Sequence, residues 1–180
     1  MKPTGISDRP MANTYWVVPG RFLAGEYPGA TNRRQAADRV RTLLRAGIDH
    51  FFDLTQPRDR LEPYAEIAAR EADRLNTTVT HARHPIRDMN VPRNPQDMTD
   101  ILDAIDTVLE EGGNVYVHCW GGVGRTGTVV GCWLVRHGMT GEQALDQIAD
   151  WWRGVEKSWY HPRSPQTHEQ RAYIRYWAEP

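Results

Sequence analysis

The stretch "NVYVHCWGGVGRTGTVVGCWLV", Asn114–Val135, decides how this chain is read. It opens as a β-strand pattern, passes glycines at 121, 122, 124 and 127, and resumes as a long apolar run. Cys119 stands where the strand should end, and Arg125 follows after five intervening residues. A thiol and a guanidinium therefore flank a glycine-rich loop that leads into a helix.

Glycine is used where backbone turns tightly or approaches a ligand closely. Gly121, Gly122 and Gly124 allow successive N–H groups to point inward as an anion nest. The helix that follows directs its positive N-terminal end at the same spot. Arg125 adds a bidentate fork suited to phosphate oxygens. The same field favours a thiolate at Cys119. Trp120, Gly121, Gly122, Val123 and Gly124 then form a phosphate-binding loop with a nucleophile at its base. The GxxxxGK[ST] nucleotide loop is absent.

Working outward, strand and helix patterns alternate. Strands are expected at 14–18, 48–55, 78–86 and 114–119, with "GRFLAGEYPGAT" as a turn-rich link after the first. Helices are expected at 32–46 with Thr31 as N-cap, from Pro63 to about Leu75, and from Pro95 to Glu111 after the cap Asn94. Others run from Arg125 to a stop at Gly138, from a Thr140/Gln143 capping box, and from a Thr167/Gln170 capping box to Tyr176. This order implies an α/β fold: a mostly parallel central sheet with helices on both faces. Ligands in such sheets bind at the carboxyl ends of strands, where Cys119 lies. Residues 1–13 are expected to be a flexible tail before a single domain spanning 14–180.

The 180 residues are 39% hydrophobic and 25% charged, with net charge −1, which fits one globular domain. The neutral balance speaks against a dedicated nucleic-acid binder or a polybasic membrane anchor. No apolar run reaches the ~18 residues of a membrane span, and two cysteines make no disulfide framework. A cytoplasmic monomer is the default expectation, with Cys132 packed in the core.

"HCWGGVGRTG" resembles the HCxxGxxR[ST] signature of cysteine-dependent protein phosphatases, the tyrosine and dual-specificity superfamily. Its glycine pattern is most similar to the group around the cyclin-dependent kinase inhibitor 3 phosphatase and bacterial relatives. The resemblance covers roughly residues 15–177. It implies a phosphocysteine mechanism on Cys119, with Arg125 gripping the phosphoryl group and no metal or other cofactor. It also implies that Thr126 hydrogen-bonds the Cys119 sulfur and that His118 orients the loop, although a plain core histidine would look the same.

A phosphoester leaving group needs a proton, which Arg125 cannot give. Asp53, Asp59, Asp88, Asp97 and Asp100 are the candidates. Asp97 and Asp100 fall on the first turns of a helix, where acids ordinarily offset the dipole. Asp53 ends a strand, and Asp59 sits in a charged loop. Asp88 follows a strand in a loop bracketed by Pro85 and Pro92, and "HPIRDMNVP" resembles the family's mobile general-acid loop. It lies 31 residues before Cys119. "SPQTHEQRAYIRYW" resembles the segment whose glutamines position the hydrolytic water; by position Gln166 is the stronger match. Gln170 is the weaker, since it also reads as a capping-box residue.

The expected substrate is a phosphorylated protein, carrying phosphotyrosine or also phosphoserine and phosphothreonine. The five loop residues are uncharged, and Trp120 and Val123 are expected to present apolar surface to a ring or peptide. A phosphoinositide or inositol phosphate phosphatase of the same fold is the runner-up. Arg83, His84, Arg87 and Arg93 are the cations that would serve it. A phosphopeptide-binding module without turnover is a further reading, against which Cys119, Arg125 and Asp88 stand together. Sulfur transfer on a rhodanese-like loop would need none of Asp88, Thr126 or the glutamines.

Overall fold

The computed structural model describes residues 9–180. A five-stranded sheet has the order β1-β2-β5-β3-β4, formed by Thr14–Val18, Phe22–Gly25, Val115–His118, His50–Asp53 and Thr80–Arg83. The β1–β2 pair is antiparallel and the other three pairings are parallel. The sheet is thus mostly parallel, as expected, with one antiparallel edge. The strand β2 lies inside the segment read as a turn-rich link. All four of its residues are buried, so it lacks the alternation that marks a strand with one wet face.

Alternate residues feed opposite faces. Val115 and Val117 of β5, with Phe52 of β3, enter one core, while Tyr116 and Phe51 enter the other. The first core is closed by α3 (Pro95–Glu110), α4 (Arg125–Arg136), α5 (Gly141–Trp152) and α6 (His168–Arg175). The second is closed by α1 (Arg33–Arg45) and α2 (Ala65–Arg74). Each fully buried Phe or Val contributes roughly 1.5–3 kcal/mol, so this two-sided pattern fixes the strand register. Cys132, 0% exposed within α4, packs in the first core as expected.

Helix boundaries shift where local chemistry competes. The N-cap of α1 is Asn32, not Thr31: its side chain accepts from the N–H groups of Arg34 and Gln35. Pro63 lies ahead of α2, whose N-cap is the buried Tyr64. The caps at Asn94, Thr140 and Thr167 form as expected. Residues 1–8 of the expected tail lie outside the described residues. Residues 11–13 are tied down: Thr14 Oγ1 donates to Met11 O, and Glu156 N donates to Ala12 O. Among the described residues, no helix is long and apolar enough to cross a membrane.

Pairing places Gly25, His118, Asp53 and Arg83 in one row at the carboxyl edge. The loops leaving that row build the site.

Candidate active site

Cys119 follows β5 directly and is 3% exposed. The loop curls around it, and Gly122 N donates to its sulfur at 3.3 Å. Only glycine fits at 122. Its φ is +74°, and an added Cβ would stand 2.5 Å from the Gly25 carbonyl carbon. Gly124 is the N-cap of α4, so the helix opens onto the loop with its N–H groups free for an anion. A Cβ at Gly124 would meet the Gln170 amide at 2.8 Å. Trp120 stands 54% exposed at the mouth, with its carbonyl held by Tyr27 N. Val123 differs from expectation. Its side chain packs in the first core with Val117, Val129 and Val130, not toward the pocket, and its carbonyl accepts from Ser164 Oγ at 2.7 Å.

Arg125 is the first residue of α4 and is 1% exposed. Its Nη1 donates to Asp59 Oδ2 at 2.7 Å and to Ile86 O at 3.0 Å. Asp88 Oδ1 lies 3.1 Å from Nη2, close but not aligned as a hydrogen bond. Nε and Nη2 are buried without a hydrogen-bond partner. Burial opposes the guanidinium charge, but Cys119, Asp59 and Asp88 outweigh it and raise the pKa above its ordinary value. A buried, unmet donor pair is costly unless something accepts from it. An oxyanion seated in the loop would do so.

His118 lies beneath the loop, fully buried. Burial lowers its pKa to about 4, despite the opposing charge of Asp53. The ring is therefore neutral near pH 7. Its Nδ1 faces Cys119 O at 3.1 Å and its Nε2 faces Tyr64 Oη at 2.5 Å. A neutral ring meets both only with the proton on Nδ1, donating to the carbonyl, while the Tyr64 hydroxyl donates to Nε2. Burial holds the Tyr64 pKa well above normal, which keeps that hydroxyl protonated. Asp53 sits under the same row, accepting from Thr55 and facing His81 and Arg83. Burial alone would raise its pKa, but these hydrogen bonds and the nearby His118 hold it well below the usual carboxylate range.

The acid loop and the loop at 119–125 meet through Arg125. Asp88 has a half-exposed carboxylate in a turn where Met89 takes φ +62° and Asn90 Nδ2 donates to Asp88 O at 2.8 Å. Gln170 Nε2 donates to Asn90 O at 3.1 Å, so Gln170 bridges the acid loop and Gly124. Gln166 is exposed, and among the described residues its side chain has no hydrogen-bond partner. Its neighbour Ser164 holds Val123 O, which lays the segment along the loop. The Thr126 hydroxyl, expected at the Cys119 sulfur, donates instead to Gly25 O at 3.4 Å, because β2 runs beside the start of α4. Asp97 and Asp100 stay on the first turns of α3, where Asp100 accepts from Gln96.

Two site contacts carried no sequence signal: the pairing of Asp59, read from sequence only as a candidate proton donor, with Arg125, and the hold of Lys157 on the loop. Asp59 ends a short 3₁₀ turn, Pro57–Asp59, and is placed by accepting from Gln56 N as well as from Arg125. Lys157 Nζ donates to Gly121 O at 3.0 Å and pairs with Glu26 Oε2 at 2.7 Å, bracing the outer side of the loop. Among the described residues, no group of three or more His, Cys, Asp or Glu is placed to hold a metal ion.

A cysteine at the end of a parallel strand, a glycine loop, and a buried arginine at the following helix start form a candidate anion site whose pattern resembles that of cysteine-dependent phosphatases. The comparisons agree. Residues 11–173 match the family described as "Swiss Army Knife protein, DSP-PTPase phosphatase domain", and the chain belongs to that family. The tyrosine-protein phosphatase cdc-14 of Caenorhabditis elegans is 25% identical over 131 residues, covering 72% of this chain and 18% of the worm protein. The chain spans less than half the length of the curated relatives it matches. Among solved structures, kinase associated phosphatase, with serine in place of its catalytic cysteine, superposes with a TM-score of 0.66. That pair is 20% identical and covers 85% of this chain and 83% of the other. PTPMT1 in complex with PI(5)P gives 0.64 at 18% identity, covering 89% and 92%. Both likenesses are of fold.

Proposed function

We propose that the chain is a metal-independent phosphoprotein phosphatase working through a phosphocysteine intermediate. The observation that carries this is the Arg125 guanidinium, buried beside the Cys119 loop with Nε unmet and Nη2 facing the Asp88 carboxylate at 3.1 Å without a hydrogen bond. These two nitrogens match two oxygens of a phosphoryl group seated over the sulfur. The Cys119 thiolate attacks phosphorus, the S–P bond forms and the P–O bond to the leaving group breaks. Asp88, held over Arg125, gives the leaving oxygen its proton. The loop N–H groups and Arg125 stabilise the charge spread over the equatorial oxygens. Asp88 then takes a proton from water, which attacks the phosphocysteine and releases phosphate and thiolate. Gln166, with its amide unengaged, is assigned to that water. Gln170 braces Asn90 and Gly124. Thr126 reaches the sulfur only by leaving Gly25 O.

Support for a protein substrate is the uncharged loop and the exposed indole of Trp120, which offers a wall to a ring or peptide. The phosphoinositide reading rests on Arg83, Arg87 and Arg93 around a cleft beside the acid loop. Asp97 and Asp100 line that same cleft and offset its charge. A cytoplasmic monomer remains part of this reading. Turnover of p-nitrophenyl phosphate without added metal tests the activity. Loss of more than a thousandfold in Cys119→Ser, with the fold intact, is the expected result; loss of less than tenfold would sink the assignment.

A further inference from the structure

A cleft of about 630 Å³, with no residue of the acid loop in its lining, runs from Trp120 between the segment after β2, the N-terminus of α1 and residues 60–62. That volume falls in the ~300–1,000 Å³ range of ligand clefts. The cleft touches the phosphate loop twice: Trp120 forms part of its wall, and Lys157, which holds Gly121 O, forms another.

Its charges are uneven. Arg39, Arg60 and Lys157 line it, against Glu26 and Glu62. Lys157 and Glu26 are spent on each other at 2.7 Å. Among the described residues, Arg39, Arg60 and Glu62 have no ion pair, Arg39 Nη1 donates only to Gly29 O at 3.5 Å, and the cleft keeps a net positive charge. Arg60 is held in a backbone conformation an arginine rarely adopts, φ 54° and ψ 40°. Its N–H closes the 3₁₀ turn on Pro57 O. One turn thus directs Asp59 inward to Arg125 and supplies Arg60 to the cleft wall. Local strain kept beside the candidate site, on a cation without an ion pair among the described residues, is a reason to look for a ligand.

We propose that this cleft is the substrate-docking groove, and that it takes an extended phosphoprotein segment with an acidic side chain near the phosphorylated residue. This rests on the phosphatase reading above. With the phosphoryl group seated over Cys119, the flanking chain leaves past Trp120, and each extended residue advances ~3.3 Å into the cleft. Arg60 and Arg39 meet its carboxylate. A second phosphate on the substrate would satisfy the same pair, so a neighbouring phosphoserine serves as well as Glu or Asp.

The test compares two tyrosine-phosphorylated peptides of equal length, one flanked by Glu and one by Lys. Arg60→Gly is the informative variant, because glycine accepts the positive φ and removes only the side chain. Arg60→Glu reverses its charge. Partly exposed pairs are each worth a few-fold. The wild type is therefore expected to favour the Glu peptide at least fivefold in kcat/KM, chiefly through KM. Arg60→Gly should cut the ratio a few-fold, to the share that Arg39 alone supplies, and Arg60→Glu should bring it to one or below. Equal losses on both peptides would mark a structural role for Arg60 and overturn the proposal, as would a wild-type ratio near one. A larger effect of Arg60→Gly on phosphoinositide vesicles than on either peptide would overturn it in favour of a lipid substrate. Failure of the wild type to turn over p-nitrophenyl phosphate would instead defeat the phosphatase reading itself.

Discussion

Replacing Asp59 with Asn separates two roles that a carboxylate beside Arg125 can have. Asp59 Oδ2 and Arg125 Nη1 are 2.7 Å apart, with side-chain exposures of 4% and 1%. Asn keeps the shape and removes the charge. Deleting one partner of a buried ion pair costs roughly 3–5 kcal/mol, because the other charge stays buried. Asp88 still approaches Nη2 at 3.1 Å, which places the expected loss near the lower end, about 3 kcal/mol. A domain of this size loses ~2–4 °C of Tm per kcal/mol, so the midpoint should fall by about 6–12 °C. Inorganic phosphate in the loop returns negative charge to the guanidinium. Saturating phosphate should therefore raise the Tm of Asp59→Asn by more than it raises the wild type. Thermal unfolding followed by circular dichroism, with and without phosphate, measures both. A fall of less than about 2 °C, or equal phosphate shifts, would refute the anchoring role. If stability is untouched and the acid limb of the pH–rate profile moves, Asp59 is the proton donor and Asp88 is not.

Asp88→Asn should lower kcat by roughly 10²–10⁴ on phenyl and alkyl phosphates and far less on esters with very good leaving groups; a uniform loss across leaving groups would count against general acid catalysis. Gly122→Ala should cost at least about 2 kcal/mol, since Ala meets both a positive φ and the Gly25 backbone, and should abolish turnover; a variant with wild-type Tm would contradict the loop geometry. His118 is held near pKa 4 in the fold and titrates near 6.5 when unfolded, so the unfolded chain binds the extra proton between those values. Stability should therefore be fully present above pH 6.5 and fall by roughly 2–4 kcal/mol as pH drops to 4. Denaturant unfolding of His118→Gln should lack that slope. Asp53, whose pKa is depressed, should add its own loss only at lower pH, as the medium falls below the usual carboxylate value of 3.8.

Much of this was legible because the chemistry is local. Cys119, the glycines and Arg125 occupy seven consecutive positions, and strand, turn and helix signals agree there. The caps at Asn94, Thr140 and Thr167 are likewise decided within four residues. What escaped is long-range. The strand β2 exists because β1 and β5 pair with it, which no feature of "FLAG" announces. Asp59 reaches Arg125 across 66 residues and Lys157 reaches Gly121 across 36, each as an ordinary charged residue in a loop. The two glutamines illustrate the same limit. Sequence position favours Gln166, while burial against Gly124 gives Gln170 the tie between loops. Val123 looks like pocket wall in a linear reading and packs in the first core.

On this mechanism phosphate passes through the Cys119 sulfur. Acid quench during steady turnover, followed by mass mapping of the peptide that carries residue 119, tests it most directly. A phosphoryl group on Cys119 is expected, and it should accumulate further in Gln166→Ala as hydrolysis of the intermediate slows. Turnover at full rate with no phosphoryl group on Cys119 in either protein, or with the group found on His118, would rule out the phosphocysteine route.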